Sequence, residues 1–211
     1  MKEYVWPVNH LRINTPRLQL RLATDAEAGQ LASDSVGRLL LPEQAHWFQE
    51  DWTQVPSPHF ERSFLQHHWL HKVNWQLDSW AMNLTVFLDQ AAIGQMSVAS
   101  DGFLGRRSIG TGSWLLPEYR RRGYGREMRA AVLKFGFAKL GAQEFSSRAH
   151  RSNPASFAVS LGLGYKLNGT DSHREPADMQ CFLLSRADWS DDVPVKVKGF
   201  KKCRAMFLGE E

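Results

Sequence analysis

One glycine-bearing segment constrains the fold of this chain more than any other. It runs Gly112-Ser113-Trp114-Leu115-Leu116-Pro117-Glu118-Tyr119-Arg120-Arg121-Arg122-Gly123-Tyr124-Gly125-Arg126, and a helical apolar pattern follows it. The apolar run that ends at Pro117 predicts a strand. Gly123 and Gly125 leave the backbone uncovered by Cβ atoms where a helix should begin. The segment therefore predicts a strand, a tight loop and a helix.

This loop suits an anion. Free amide groups and the positive end of the helix dipole at a helix start both favour a phosphate group. Four arginines, Arg120, Arg121, Arg122 and Arg126, crowd the same place, and each is a permanently charged donor that suits phosphate. We therefore expect the loop to bind the pyrophosphate of a nucleotide-type cofactor.

Two common glycine loops do not fit the spacing. A P-loop requires Lys followed by Ser or Thr after its second glycine, and the dinucleotide fingerprint requires a third glycine where this chain has Met128. The pattern that remains is Arg120-x-x-Gly123-x-Gly125. It resembles the acetyl-CoA loop of the GCN5-related N-acetyltransferases (GNAT), which lies between strand 4 and helix 3 of that family.

Two other segments resemble the same family. The stretch Thr15-Pro16-Arg17-Leu18-Gln19-Leu20-Arg21 resembles the first strand of the ribosomal-protein N-terminal acetyltransferase branch (RimJ/RimL-like). Asn153, Ser156, Gly164 and Tyr165 stand at the intervals of the family's Asn-x-x-Ser/Ala helix and the Gly-Phe/Tyr that closes it. The three segments occur in the family's order and together cover about residues 15–186.

Hydrophobic periodicity predicts the other elements. Strand patterns lie at 18–22, 81–88, 92–99, 108–116, 144–149 and 179–184, and helical patterns at 58–74, at 127–140 and after Thr24, which forms a capping box with Glu27. The resemblance implies an α+β fold with a mixed, mostly antiparallel sheet that splays between the family's strands 4 and 5 and carries helices on both faces. We expect an N-terminal extension at 1–14, the acetyltransferase domain at 15–190 and a basic tail at 191–211.

The resemblance also implies the chemistry. Acetyl-CoA would donate its acetyl group to a primary amine, either a protein N-terminus or a small molecule, without a metal. The cofactor contacts transferred from the family are Leu115, Leu116, Arg121, Arg122, Gly123, Tyr124, Gly125, Arg126, Asn153 and Ser156. In the resembled fold, backbone N–H groups near Leu115 and Leu116 stabilise the oxyanion, and the Asn153 side chain contacts the pantetheine arm.

The catalytic residues depart from the common family pattern. Many members carry a Tyr acid seven residues after the Asn, where this chain has Ser160. The ribosomal-type branch suggests Ser156 as the residue that faces the CoA sulfur, although a small residue packed near the cofactor fits that position equally. Glu118, Asp171 and Glu175 are candidate bases; each also fits a solvated surface carboxylate, and a water chain would serve instead.

The aromatic region between Gly37 and Trp80 has two interpretations. Its rings fit a hydrophobic core, and Trp47 and Trp52 also fit the floor of an acceptor pocket, because Trp offers apolar area with one polar tip. Several histidines lie here, among them His46, His67 and His71. No third ligand stands at matching spacing, so we interpret them as polar helix surface rather than a metal site.

Composition sets the remaining expectations. The 211 residues are 43% hydrophobic and carry a formal charge of +4, which fits a polyanionic cofactor as well as nucleic acid. No apolar run approaches the roughly 20 residues of a membrane span, and the N-terminus lacks a signal-peptide core, so we expect a cytoplasmic protein. Cys181 and Cys203 have no metal or disulfide spacing and are expected to be reduced thiols.

The sequence leaves the role of the basic segment, the oligomeric state and two alternative functions open. The basic segment at 196–204 is interpreted as a solvated extension rather than a contact for RNA, a partner protein or the cofactor. A homodimer paired through the final strands is a reasonable expectation from the resemblance. A CoA-binding module without catalysis, or a nucleic-acid binder that uses the arginine loop and the basic tail, are the alternative functions.

Overall fold

The computed structural model describes residues 5–41, 44, 47–48, 51–171, 178–190 and 192–209. Within them one sheet of nine strands is built. The strands are β1 (Arg12–Asn14), β2 (Leu18–Arg21), β3 (Ser79–Leu88), β4 (Ala91–Asp101), β5 (Ser108–Leu115), β6 (Glu144–His150), β7 (Lys166–Asp171), β8 (Met179–Ser185) and β9 (Lys196–Lys198). Their order across the sheet is β7-β8-β6-β5-β4-β3-β2-β1-β9.

Seven α-helical segments accompany the sheet in the described part of the chain. They are α1 (Asp25–Ser35), α2 (His59–Val73), α3 (Phe103–Arg106), α4 (Tyr124–Phe135), α5 (Pro154–Gly162), α6 (Phe200–Cys203) and α7 (Ala205–Leu208). Buried residues of α4 belong to the larger core cluster, whereas those of α1 and α2 form a second cluster. Neighbouring residues at the end of β5 and directly after it face the two clusters in turn, since Leu115 joins the first while Trp114 and Leu116 join the second. Helices therefore cover both faces of the sheet, as predicted.

The sheet is antiparallel except at its centre. β5 and β6 are parallel, and their register pairs Ser108 with Glu144 through Thr111 with Ser147. Beyond Thr111, β5 continues to Leu115 and β6 continues to His150 with no further pairing between them. The sheet is thus splayed at these two strands, which correspond to strands 4 and 5 of the resembled family, because β1 adds one strand at the start. This confirms the predicted fold class.

Local signals account for the elements that frame this opening. Thr24 caps α1: its side chain accepts the Glu27 N–H, and the Glu27 carboxylate accepts the Thr24 N–H, as predicted. The strand patterns predicted at 81–88 and 92–99 become β3 and β4, which form a hairpin with a tight turn at Asp89 and Gln90, both with positive φ. The predicted helix at 127–140 begins earlier, at Tyr124, so Gly125 lies inside α4, and a wider π-type turn at Gly136–Leu140 follows Phe135.

The interpretation of the C-terminal segment as a solvated extension is wrong. β9 pairs antiparallel with β1, and both Cys203 and Phe207 are fully buried in the larger core. The Phe207 ring packs edge-on against Trp75 and Trp80, with ring centroids 5.1 and 5.0 Å apart. The lysines face outward, while the apolar residues between them complete the sheet and the core. The lysine-rich composition therefore does not indicate that this segment is a strand followed by core residues.

Two further observations concern the cysteines and the length of the helices. Cys181 and Cys203 are free thiols, and burial raises the pKa of the Cys203 thiol to about 11. Among the described residues, no helix combines the length and the apolar character that crossing a membrane requires.

Candidate active site

The predicted anion loop lies between the end of β5 and the start of α4. A short 3₁₀ turn at Pro117–Tyr119 leads into Arg121, with φ of 58°, and Gly123, with φ of 83°. Gly123 is the N-cap of α4, and no side chain among the described residues caps this helix. The first intrahelical bond runs from the Glu127 N–H to the Gly123 carbonyl at 3.1 Å. The amides that open α4 therefore remain without a capping acceptor, which suits a phosphate group.

The two loop glycines have different roles. Gly123 needs its left-handed conformation, which side chains with a Cβ rarely adopt. At Gly125 an added Cβ would meet only Val159 Cγ2, at an ordinary 3.8 Å. The packing of α4 against α5 therefore does not require glycine at position 125, and the conformational requirement for glycine falls on Gly123.

The arginines of the loop divide into two groups. Arg121 and Arg122 are exposed, and Arg126 is partly exposed and forms an ion pair with Asp192 at 2.5 Å. Arg120 instead turns inward, where its Nε donates to the Leu115 carbonyl at 2.9 Å and its Nη2 to the Leu39 carbonyl at 2.5 Å. Burial lowers the pKa of Arg120. Its guanidinium ties the loop to the chain after α1, so it is not one of the free cations that the sequence suggested.

The backbone of β5 offers one suitable donor to the opening. The Leu116 N–H already donates to the Ile93 carbonyl at 2.9 Å, so the prediction that it is available for an oxyanion is wrong. Because N–H groups alternate sides along a strand, the Leu115 N–H points away from β4 and toward β6, where the two strands have separated. Leu115 is therefore the residue whose amide faces the gap.

The start of α5 forms the opposite wall. Asn153 is the N-cap, and its Oδ1 accepts the Ser156 N–H at 3.1 Å. Ser156 is partly buried, and within the described residues its hydroxyl makes no hydrogen bond. That hydroxyl is consequently free to interact with a ligand, whereas the Asn153 oxygen is already engaged in capping.

Position 160 does not face the opening. Ser160 is fully buried, and its Oγ accepts Arg129 Nη1 at 2.6 Å. The Arg129 side chain has no carboxylate partner among the described residues, and burial lowers its pKa. Where many family members carry a Tyr acid, this chain therefore has a buried Arg–Ser contact between α4 and α5.

The candidate bases have different surroundings. Glu118 is exposed and its carboxylate accepts Arg38 Nη2, with the shorter contact at 3.1 Å. Its own backbone N–H, followed by Arg38, lowers the pKa of this carboxyl, which weakens it as a base. The Asp171 side chain and all of Glu175 lie outside the described residues.

The two predicted acceptor-side tryptophans contact different surfaces. Trp47 Nε1 donates to Ser152 Oγ at 2.9 Å, which joins the segment before α2 to the turn before α5. Trp52 packs among aromatic rings, 5.8 Å from Phe60 and 6.2 Å from Trp114 between centroids. Trp52 is thus part of the second core cluster and lies against the end of β5, while Trp47 lies beside the opening.

The histidines of α2 are held by local contacts. Nε2 of His67 and Nε2 of His71 are 3.1 Å apart, and His68 Nε2 contacts Gln95 Oε1 at 2.8 Å. Burial lowers the pKa of both His68 and His71 to about 4. In the described part of the chain no three His, Cys, Asp or Glu side chains gather as a metal site would need; His46 lies outside that part.

Sequence reasoning missed one polar cluster beneath the loop. Glu127, in the first turn of α4, accepts hydrogen bonds from Thr15 Oγ1 at 2.5 Å and Arg17 Nε at 2.7 Å. The stretch from Thr15 to Arg21 predicts a first strand and carries the family resemblance, but it does not predict a contact with Glu127. A carboxylate in the first turn behind an anion loop was the available signal, but its partners lie about 110 residues away in sequence.

Comparisons with known proteins agree with this geometry. A domain family described as an acetyltransferase (GNAT) domain matches residues 17–166. A Vibrio cholerae structure, described as that of a candidate ribosomal-protein-serine acetyltransferase, is 25% identical with a TM-score of 0.64, covering 82% of this chain and 97% of that one. The two chains thus share a fold over nearly the whole of the shorter one.

Two further structures with the same fold contain coenzyme A. One is RimL, the ribosomal L7/L12 alpha-N-protein acetyltransferase, in complex with coenzyme A. It is 20% identical to this chain with a TM-score of 0.62, and the match covers 81% of this chain and 95% of the RimL chain. Mycobacterium smegmatis RimJ with CoA-disulfide is 14% identical, with a TM-score of 0.68 and coverage of 94% and 95%. The family match spans most of the chain, and the structural neighbours include the branch that the first strand resembled. The chain belongs to the GNAT family of acetyltransferases.

Proposed function

We propose that this protein transfers the acetyl group of acetyl-CoA to the primary amine of a protein N-terminus, with small amines as the other acceptor class. The observation that carries the proposal is the uncapped start of α4 beside the gap between β5 and β6. An opening with free amides at one end and a strand N–H along its wall fits a long anionic cofactor. A cytoplasmic location and a homodimer stay predictions.

The residues present fit acetyl-CoA at both ends of this opening. The amides of Tyr124, Gly125 and Arg126 would hold the pyrophosphate, and exposed Arg121 and Arg122 would add charge. Arg126 would attract the pyrophosphate less strongly, because its charge is partly neutralised by Asp192. Acetyl-CoA supplies an activated thioester, so a neutral amine held in the correct orientation needs little further activation.

Two groups of this chain would act near the thioester. The Leu115 N–H faces the gap and would donate to the carbonyl oxygen, whose negative charge grows during attack. The Ser156 hydroxyl has no partner among the described residues and would donate a hydrogen bond to the sulfur. Asn153, which already caps α5, would contact the pantetheine arm mainly through its remaining amide group.

The amine proton requires an acceptor. Glu118 is paired with Arg38 and has a lowered pKa, so we assign this role to a water chain and retain Glu118 as a group that holds the loop near α1. Trp47, beside the opening, would line the acceptor entrance, and Trp52 would support it from the second core cluster. The names of RimL and the Vibrio cholerae protein support a protein acceptor.

A thiol-release assay tests the proposal. We expect the purified protein to release CoA from acetyl-CoA with a peptide that has a free N-terminus, and not with the same peptide acetylated there. Ser156→Ala should lower kcat about tenfold or more while the Kd for acetyl-CoA stays unchanged. A panel of small amines under the same conditions separates the two acceptor classes. Acetyl-CoA binding without transfer to any amine would contradict catalysis and favour a CoA-binding module.

A further inference from the structure

Thr15, Arg17 and Glu127 form a compact polar cluster behind the cofactor loop. Thr15 and Arg17 come from the connection between β1 and β2, and Glu127 comes from the first turn of α4. The Glu127 carboxylate accepts Thr15 Oγ1 at 2.5 Å, the Arg17 N–H at 3.2 Å, Arg17 Nε at 2.7 Å and Arg17 Nη2 at 2.5 Å. Both carboxylate oxygens are therefore fully engaged by one short segment.

The same guanidinium also contacts the loop. Arg17 Nη1 donates to the Arg122 carbonyl at 3.2 Å, and its Cζ lies 4.5 Å from the centre of the Tyr124 ring. An added Cβ at Gly123 would lie 3.3 Å from Arg17 Nη2. Arg17 thus packs against three successive residues at the point where the loop becomes helix.

The charges explain why this contact matters for an anion. Glu127 exposes only 9% of its side chain, and a carboxylate in the first turn takes up part of the favourable field of the helix dipole. Without a partner, this buried charge would oppose a phosphate group at the same helix end. Arg17 cancels it, so the amides and Arg121 and Arg122 can act on the ligand undiminished.

We propose that Arg17 is a positioning residue for cofactor binding: it fixes the Arg122–Gly123 backbone and neutralises Glu127 beneath the phosphate site. The identity of the ligand, acetyl-CoA, rests on the proposed function. The role of Arg17 in holding the loop does not, because it concerns contacts already present in the protein alone.

Arg21 provides a matched control. It lies on the next strand, and its guanidinium pairs with Glu27 through Nη2 at 2.6 Å and Nη1 at 2.8 Å, with the Phe87 ring 3.8 Å away. Replacing either arginine removes a bidentate Arg–Glu pair, but only Arg17 touches the loop. We would compare Arg17→Gln, Arg17→Lys, Arg21→Gln and the double variant Arg17→Gln/Glu127→Gln.

Calorimetric titration with CoA gives the first result. We expect Arg17→Gln to raise the Kd about tenfold or more and Arg21→Gln to change it less than about twofold, although both variants lower the midpoint of urea unfolding. The double variant should recover part of the affinity because no unpaired carboxylate remains. Arg17→Lys keeps the positive charge but lacks the bidentate geometry of the guanidinium, so its Kd for CoA should lie between those of wild type and Arg17→Gln. In Arg17→Gln the KM for acetyl-CoA should rise, with little change in kcat.

Amide hydrogen exchange gives a second result that needs no cofactor. In Arg17→Gln, the segment 120–126 should exchange faster than in wild type, whereas Arg21→Gln should leave it unchanged. Equal CoA affinities in Arg17→Gln and Arg21→Gln, or unchanged exchange at 120–126, would overturn the proposal. If wild type binds no CoA while exchange responds as expected, the proposed function fails and the positioning role stands.

Discussion

The two sides of β5 are held together by different forces. On the side of α4, the loop is fixed by the ion pair of Arg17 with Glu127 and by the hydrogen bond from Arg17 to the Arg122 carbonyl, while the rest of α4 packs in the larger core. On the side of α1 and α2, aromatic rings fill the space, with Trp52, Phe60 and Phe64 stacked beside Trp114. The polar side sets geometry and charge for a ligand, whereas the aromatic side supplies volume. Substitutions of the polar contacts at the loop should therefore change ligand binding most, and substitutions of the aromatic rings should change stability most.

The largest effect is expected on the aromatic side. Phe60 is 2% exposed and stacks on Trp52 and Phe64, so Phe60→Ala should leave a cavity and lower the free energy of unfolding by about 3–5 kcal/mol. Urea unfolding measures this, with Val73→Ala on the exposed side of α2 as control, where less than about 0.5 kcal/mol is expected. The Kd of the folded fraction for CoA should not change. A cost below about 1 kcal/mol for Phe60→Ala would contradict a volume role for this side.

A pH effect on the same side comes next in size. His68 packs against Phe64, and burial lowers its pKa to about 4. Below about pH 6.5 the His68 imidazole binds a proton in the unfolded chain but stays neutral in the folded protein. The free energy of unfolding should therefore fall by about 3 kcal/mol in all as the pH drops from about 6.5 to about 4. Urea unfolding at pH 7 and pH 4.5 should show this loss in wild type and a smaller one in His68→Gln. Equal losses in both proteins would mean that His68 is not buried in its neutral form.

The smallest effect is expected between α4 and α5. Arg129 is fully buried without a carboxylate, and its Nε has no hydrogen-bond partner among the described residues. Arg129→Met keeps the length and removes the charge, so the free energy of unfolding should stay within about 1 kcal/mol of wild type or increase. Arg129→Ala, which also leaves a cavity, serves as the contrasting variant. If Arg129→Met costs more than about 3 kcal/mol, the buried charge has a compensating interaction with another group.

Patterns within single segments were predictable from the sequence. The hairpin of β3 and β4, the capping box of Thr24 and Glu27, and the Asn153 start of α5 each depend on neighbours in the chain. The loop glycines were recognised for the same reason, although the strict conformational requirement falls on Gly123 rather than Gly125.

Features that depend on distant partners were not predictable. Whether the Leu116 N–H is free depends on Ile93 in the neighbouring strand, and the role of Arg17 depends on Glu127. The C-terminal segment carries buried Phe207 and Cys203 among lysines, and its apolar pattern becomes evident only when β9 pairs with β1. Charge along the chain says little about which side of a short strand is buried.

The central claim is that the loop opening α4 binds the phosphates of acetyl-CoA. Calorimetric titration of wild type, Gly123→Ala and Gly125→Ala with acetyl-CoA tests it most directly. We expect wild type to bind in the micromolar range, about −8 kcal/mol, and Gly125→Ala to bind within about threefold of it, because the added Cβ meets Val159 at an ordinary distance. Gly123→Ala should lower the affinity for acetyl-CoA about tenfold to a hundredfold, because the φ of 83° at position 123 strains any residue with a Cβ. Absent binding in wild type, or equal affinities in all three proteins, would contradict the claim.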